Sequence, residues 1–297
     1  MLGKLSGNRF TITLRGVIAE NHDIIKDAAD GLGKNGFINY FGLQRFGSGS
    51  VPTHSIGAAL LRGEWKTAVD LILDPRDGER SDIREAREYY KSSMDIDGTL
   101  KQIPRHLVAE RSILTCLKKN PGKYLQAICS ISRTLRMIYV HSYQSHLWNH
   151  AASARVQKYG VGKIVEGDLV YSKGTEVDKQ STKEPSRRKT SNGDFGYEFD
   201  ALDEAVESDF SLESLNVAKI VNADDIASGK HTIDDILLPL LGSRIIYPGN
   251  DIAETYHDLA MKDLVDLRDS SHNVKEFLIM NMPGETHRKS NQEKCSA

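Results

Sequence analysis

The chain has 297 residues, of which 39% are hydrophobic and 27% are charged, and its formal net charge is -2. These proportions are typical of a soluble globular protein with room for two domains. They exclude a membrane protein, because no apolar run approaches the roughly 18 residues of a membrane span. The N-terminus lacks the basic and apolar pattern of a secretory signal, so we expect an intracellular protein, in the nucleus, the cytoplasm or both.

Charge is unevenly distributed along the chain. Residues 172–214 contain six Lys or Arg and eleven Asp or Glu, a net of -5, so the remainder carries +3. Because this segment is polar and poor in large aliphatic residues, we expect a mobile, disordered loop. The cysteines Cys116, Cys129 and Cys295 form no C-x-x-C pair, which predicts neither a disulfide framework nor a zinc site.

The first predicted elements are a strand and a helix. Between Asn8 and Val17 apolar residues alternate with polar ones, which indicates a strand with one buried face, in a sheet completed elsewhere. Apolar residues then recur every three or four positions from Ile24 to Leu32, and glycines follow. The formal G-x-G-x-x-G from Gly31 to Gly36 has no strand before it, so we interpret these glycines as the end of the helix and not as a dinucleotide fingerprint.

The most informative segment is Asn39-Tyr40-Phe41-Gly42-Leu43-Gln44-Arg45-Phe46-Gly47. Two aromatic rings, Phe41 and Phe46, offer flat faces for a base. The amides of Asn39 and Gln44 offer paired donors and acceptors for a base edge, and Arg45 offers a fork for phosphate. These residue types suit a nucleotide site, although aromatic residues beside glycines also commonly fill a core.

Pro52 and Thr53 mark the start of a helix, with Thr53 as the expected N-cap. The backbone N–H groups of that helix, with His54 or Arg45, offer a secondary contact for a phosphate group of the ligand, and an ordinary capped turn is the alternative. Helical periodicity then continues from Trp65 to about Tyr159. The most regular part is a long helix whose expected face is Met137, Ile138, His141, Gln144, Trp148, Ala151, Ala152 and Arg155.

His146 and His150 lie four residues apart on that helix. Leu147 stands where the zincin pattern needs Glu, and no third ligand is evident, so metal binding is not predicted. Further along, we expect a turn between short strands at 164–171, a strand at 217–221 and a helix at 251–264. Residues 281–297 read as a polar tail.

Several segments resemble the TruD family of RNA pseudouridine synthases, in the larger eukaryotic form. Residues 39–47 resemble the family's N-Y-F-G-x-Q-R-F-G signature, and residues 7–15 resemble the strand before it. Residues 139–149, with Gln144-Ser145 and the later Asn149, look like a family helix. Elements at 164–171 and 238–248 are also similar, while the likeness fades after Phe277.

The resemblance implies an α+β fold with four parts. Residues 1–64 would be a remnant of the catalytic domain with its partial mixed sheet, and 65–245 a mainly helical insertion domain that contains the loop at 172–214. Residues 246–280 would return to the catalytic domain, and 281–297 would form the tail. A monomer is expected.

The resemblance further implies isomerisation of uridine to pseudouridine in tRNA, and possibly in other RNAs, without metal or organic cofactor. Asn39 would hydrogen-bond in the uridine pocket and Phe41 would stack near the base, while Gln44, Arg45 and Phe46 would brace the loop or reach the RNA backbone. The family's nucleophilic aspartate lies in a Gly-x-Lys-Asp segment, which we expect upstream of Met1, so no catalytic residue is assigned. The alternative hypothesis is a non-catalytic truncated form that binds RNA or another protein.

Overall fold

The structure is a computed structural model that describes residues 9–47, 49–172, 218–242, 245–268, 271–279 and 286–288. Its helices are α1 His22–Asn35, α2 Leu43–Phe46, α3 Thr53–Leu61, α4 Trp65–Leu73, α5 Ser81–Ser93, α6 Ile96–Gln102, α7 Val108–Lys119, α8 Tyr124–Cys129, α9 Arg133–Tyr159, α10 Ala223–Ala227 and α11 Ile252–Lys262. Its strands are β1 Leu169–Tyr171, β2 Ala218–Ile220, β3 Ile236–Pro239 and β4 Thr286–Arg288. The predicted α+β class is confirmed, with helices in the majority.

The N-terminal part of the described chain, residues 9–20, precedes α1 and forms neither helix nor strand. Residues 9–20 pair with no described strand, and Phe10, Ile12 and Leu14 are 76–78% exposed. The predicted strand is therefore wrong for residues 9–17, and the apolar side chains of its expected buried face are exposed. These side chains are exposed because no described strand lies beside this segment.

Helix α1 ends later than predicted. It begins after Asn21, whose Oδ1 accepts the Ile24 N–H at 3.0 Å, and it continues through Gly31 and Gly33 to Asn35. Only Gly36 ends it, with φ +67° and its N–H donated to the Leu32 carbonyl, because that backbone conformation suits glycine. The glycine run thus forms the last turns of a helix, not the turn between a strand and a helix.

The long helix predicted from its periodicity is confirmed as α9, and several elements pack on it. Helix α3 packs closely along it, and α2, α8, α11 and β3 also contact it. The expected face was partly wrong, since Ile138 is 38% exposed while Val140, Tyr143 and Leu147 are fully buried. Because neighbours cover α9 on several sides, its buried surface is wider than a single stripe.

The close approach of α3 and α9 depends on a small residue. A Cβ added at Gly57 would overlap the backbone carbonyl of Tyr139, and it would also press on the Tyr143 Cβ. Buried residues of α3 and α4 belong to one apolar cluster that extends from Ile56 to Ile279. The expected domain boundary at residues 64 and 65 therefore falls inside a continuous core.

A small antiparallel sheet closes one end of α9. Its order is β2-β1-β3-β4, with Leu169 opposite Ile220 and Leu237 in its two neighbours. The predicted strand at 217–221 and helix at 251–264 are confirmed as β2 and α11. Strand β4 lies within the expected polar tail, where it pairs with β3. The charged loop predicted at 172–214 lies, beyond residue 172, outside the described residues.

A buried ion pair joins this sheet to α9. Arg155 donates from Nε and Nη2 to the two carboxylate oxygens of Asp168, at 3.0 and 2.9 Å. The remaining guanidinium donors reach the carbonyls of Gly160 and Lys163, and Asp168 also accepts the Val165 N–H. Each charge is thus enclosed by hydrogen bonds, as a buried pair requires. None of the helices in the described ranges is long and apolar enough to cross a bilayer.

Candidate functional site

The segment 39–47 lies against α9, where one side chain holds its backbone. Asn149 accepts the Phe41 N–H at 3.0 Å through Oδ1 and donates to the Phe41 carbonyl at 2.9 Å through Nδ2. One turn along the helix, Ser153 Oγ lies 3.0 Å from Tyr40 Oη. A side-chain amide carries a donor and an acceptor side by side, so it can satisfy both backbone groups of a residue at once. The loop is therefore fixed on the helix by polar contacts.

The Phe41 ring sits between an aromatic and a cationic neighbour. It meets Trp148 of α9 edge to face, with centroids 5.4 Å apart, and the Arg45 guanidinium carbon lies 5.6 Å from the Phe41 centroid. Both distances are within the range of favourable aromatic and cation–π contacts. An incoming base must use the part of the ring that remains exposed or displace Arg45.

The next four residues form the single turn of α2. Gly42 precedes it, and Gly47 ends it with φ +75° and its N–H donated to the Leu43 carbonyl at 2.8 Å. This left-handed backbone conformation favours glycine, which accounts for the glycine at the end of the segment. The turn brings Arg45 back over Phe41 and directs Phe46 toward α3 and α9.

Asn39 and Gln44 are exposed side chains on the same segment. Within the described ranges, neither side-chain amide has a hydrogen-bond partner. Their donors and acceptors are therefore available to a ligand at the loop surface. The segment thus combines a half-buried ring with two accessible amides.

Phe46 borders a cluster of histidines. Its ring contacts His54 at 5.8 Å and His146 at 6.5 Å between centroids. The rings of His54 and His146 stack at 4.0 Å and 5° between planes, and His150 meets His146 at 4.6 Å. Parallel stacking of this kind turns the ring edges, and hence the nitrogens, away from one shared point. No three His, Cys, Asp or Glu side chains in the described ranges are arranged to hold a metal ion.

Burial sets the charge of this cluster. Desolvation lowers the pKa of His54, and desolvation together with His54 and His150 lowers the pKa of His146 to about 4. Both rings are therefore neutral at pH 7. Contact between His54 and a phosphate would be a hydrogen bond, not an ion pair.

Thr53 has a different role from the one predicted. It is the first residue of α3, whose N-cap is Pro52, and its hydroxyl donates to the Phe46 carbonyl at 3.0 Å. The hydroxyl thus joins α3 to the end of α2 and does not cap α3. The cause is the close approach of Phe46, which offers a carbonyl acceptor within reach.

Among the predicted site residues the fold pairs Arg45 with Phe41 and Phe46 with His54, and it leaves Asn39 and Gln44 at the surface of the same loop. Sequence reasoning did not identify Asn149 as the residue that holds the loop. The signal available was the Asn that follows Gln144-Ser145 in the aromatic part of α9. Its partner, Phe41, is 108 residues away in sequence.

Comparison with known proteins relates the chain to one family of enzymes. The sequence pattern of the family tRNA pseudouridine synthase D (TruD) matches residues 1–195. The chain is 38% identical over 286 residues to "Multisubstrate pseudouridine synthase 7" of Schizosaccharomyces pombe, which covers 96% of this chain and 39% of that protein. It is 31% identical over 278 residues to "Pseudouridylate synthase 7 homolog" of Homo sapiens, covering 93% of this chain and 35% of that protein.

The fold resembles a solved structure as well. A crystal structure titled putative tRNA pseudouridine synthase D from Methanosarcina mazei aligns with a TM-score of 0.64 and 23% identity, over 89% of this chain and 54% of that one. The chain spans between about a third and two fifths of the length of the two curated relatives.

Proposed function

Because the chain belongs to the TruD family of pseudouridine synthases, we propose that it takes part in isomerising uridine to pseudouridine in RNA, with tRNA as the first substrate to test. In this reaction the bond from C1′ of the ribose to N1 of the base breaks and a bond from C1′ to C5 forms. C5 loses its proton and N1 gains one, so the composition of the nucleotide is unchanged. We propose that residues 39–46 hold the uridine.

The observation that carries this proposal is the fixed position of Phe41. Two hydrogen bonds from Asn149 hold its backbone, and Trp148 packs against its ring. A base that leaves its stack loses stacking energy, and an aromatic ring can restore about 1 to 3 kcal/mol of it. A ring that is already positioned does so at a lower entropic cost.

The neighbouring residues then have distinct roles in the proposal. The exposed amide of Asn39 hydrogen-bonds the uracil edge, because uracil offers both a donor and acceptors there. Arg45 and Gln44 contact the RNA backbone, and Phe46 supports the loop against the histidine cluster. We assign no described side chain the role of the nucleophile that attacks C1′.

The test compares two RNAs that differ at one base. Fluorescence anisotropy would measure the affinity of the chain for a tRNA-derived stem-loop with an unpaired uridine, and for the same stem-loop with cytidine at that position. We expect tighter binding of the uridine form, and we expect Phe41→Ala to remove the difference. Phe37→Ala is the matched control, since Phe37 is 62% exposed and lies outside the segment.

Equal affinity for the two RNAs, or an unchanged preference in Phe41→Ala, would overturn the assignment of the uridine site. Pseudouridine in the same samples is measured by chemical derivatisation, because the isomerisation does not change the mass. Turnover supports the synthase activity of the chain itself. Uridine preference without turnover supports the alternative, that the chain binds RNA without catalysis.

A further inference from the structure

A second candidate surface lies on the helical part of the chain, away from residues 39–47. It is a groove of about 570 Å³ beside α7 and α8, and its lining includes Arg105, Arg111, Ser112, Lys119, Asn120 and Gln126. None of its lining residues is Asp or Glu. A groove with several cations and no carboxylate attracts a polyanion.

Two of these cations are free to meet a ligand. Arg105 and Lys119 are exposed, and neither has an ion-pair partner in the described ranges. The adjacent basic residue on α7 differs in this respect, since Lys118 pairs with Asp97. The positive charge of the groove is therefore not neutralised by the acidic side chains nearby.

The third cation is held in a fixed position. Arg111 Nη1 donates to the carbonyls of Leu100 and Ile103, at 2.9 and 3.0 Å. Its other N–H donors are left for a partner, because a guanidinium has five. A guanidinium anchored at one edge loses little freedom when it binds phosphate, which its planar fork matches well.

The groove is separated from the uridine site along α9. It reaches Ser130, just before α9 begins, whereas the histidines that contact Phe46 start at His146. His146 is 13 residues beyond Arg133, so at 1.5 Å per residue the two regions are roughly 20 Å apart along the helix. A single RNA stem-loop is long enough to contact both.

We propose that this groove binds the phosphodiester backbone of RNA at a position outside the target uridine. The inference rests on the proposed function, which supplies RNA as the partner. Phosphate contacts position an RNA without reading its sequence, and they make binding dependent on salt. The groove would thus orient the RNA while residues 39–46 select the uridine.

The test uses the full chain and single-stranded oligoadenylate, which contains no uridine. Its affinity is measured by anisotropy over a range of salt concentrations for the unmodified chain and for the double variant Arg105→Ala/Lys119→Ala. For single strands the slope of log K against log salt is about -0.7 per phosphate contact, so we expect the slope to become shallower by about 1.4. The control is Arg80→Ala/Arg84→Ala, which changes the net charge equally at exposed residues of the helical part outside the groove.

An unchanged slope in the groove variant, or an equal change in the control, would overturn the inference. Polyglutamate that competes as well as oligoadenylate at equal charge would also overturn it, in favour of an acidic protein partner. Failure of the proposed function is a separate result, because it appears as loss of the uridine preference while oligoadenylate binding stays sensitive to Arg105 and Lys119.

Discussion

The side chain of Asn149 hydrogen-bonds both backbone groups of Phe41, which is 108 residues earlier in the sequence. This contact ties the middle of the long helix α9 to the segment that we propose holds uridine. The ring of Phe41 is thereby set beside Trp148, the residue that precedes Asn149. The position of the ring depends on the helix as much as on the loop.

Replacing Asn149 with Ala should remove the uridine preference while the rest of α9 stays folded. The change leaves the N–H and carbonyl of Phe41 without their partner, and a half-buried group that loses its hydrogen bond costs about 1 to 3 kcal/mol. We therefore expect a lower free energy of unfolding by that amount, measured by urea denaturation. The anisotropy assay with uridine and cytidine RNAs should show equal affinities.

Ser153→Ala is the control for this variant. It removes only the contact with Tyr40 Oη, which is at the exposed side of the loop. We expect it to keep most of the uridine preference. If Asn149→Ala were as selective as the unmodified chain, Asn149 would have no part in positioning Phe41.

Gly57→Ala adds only a methyl group, but we expect it to destabilise the folded chain strongly. The new Cβ would overlap the Tyr139 carbonyl, and two packed backbones can separate only by moving α3 away from α9. Overpacking of this kind costs about 1 to 3 kcal/mol or more. Thermal and urea unfolding would measure it.

We expect the same substitution at Gly31 to raise the stability of the chain. Gly31 is inside α1, and apart from its chain neighbours and the backbone of α1 no atom of the described residues lies within 4 Å of an added Cβ. Alanine there should stabilise the helix by about 0.5 to 1 kcal/mol, because it restricts the unfolded chain. Equal effects at Gly57 and Gly31 would contradict the close packing of α3 on α9.

The sequence predicted the elements whose pattern is local. Helix α9 follows from its periodicity, whereas the single turn α2 and the role of Gly47 in ending it were not predicted. The face of α9 was predicted less well, because three or more neighbours cover it and a single apolar stripe no longer marks the buried side. A periodic apolar pattern arises when one face of a helix is exposed to solvent. Between Val140 and Ala152 most side chains of α9 are buried, so the pattern there is weak.

In the candidate site, too, features that are local in the sequence were predicted and contacts between distant segments were not. The aromatic and polar residues between Asn39 and Phe46 are adjacent in sequence, so their chemistry was visible together. The contact of Asn149 with Phe41 and the stack of His54 on His146 join distant segments, and no spacing rule reports such pairs. The N-terminal segment shows the opposite error. The local alternation predicts a buried face formed by Phe10, Ile12 and Leu14, but no described strand covers these side chains.

Breaking the pair between Arg155 and Asp168 should cost much more than breaking an exposed pair. Both side chains are at most 4% exposed, so Asp168→Asn leaves a buried guanidinium without its counter-charge. We expect a loss of about 3 to 5 kcal/mol in the free energy of unfolding. Asp70→Asn is the control, because the Lys66–Asp70 pair is on the surface and should contribute little. Similar losses in the two variants would show that burial of the first pair has no energetic consequence.

The histidine cluster should make the stability of the chain depend on pH below neutrality. Its burial lowers the pKa of His146 from 6.5 to about 4, so the unfolded chain takes up a proton before the folded one does. Stability from this group is complete above about pH 6.5, falls as the pH drops toward 4, and is constant below that. The full shift corresponds to roughly 3 kcal/mol, which solvent screening at this partly exposed ring reduces to about 1 to 2 kcal/mol.

The measurement compares the unmodified chain with His146→Gln by urea denaturation between pH 7 and pH 4. Carboxylates titrate in both proteins, so the difference between the two curves isolates the histidine. We expect the advantage of the unmodified chain to shrink by about 1 to 2 kcal/mol over this range, since glutamine gains no proton. His106→Gln is the control, because His106 is an exposed histidine outside the cluster and its removal leaves the stack of His54 on His146 intact. Parallel curves for the unmodified chain and His146→Gln would mean that His146 titrates alike in the folded and unfolded states, and that the stacked pair is not desolvated.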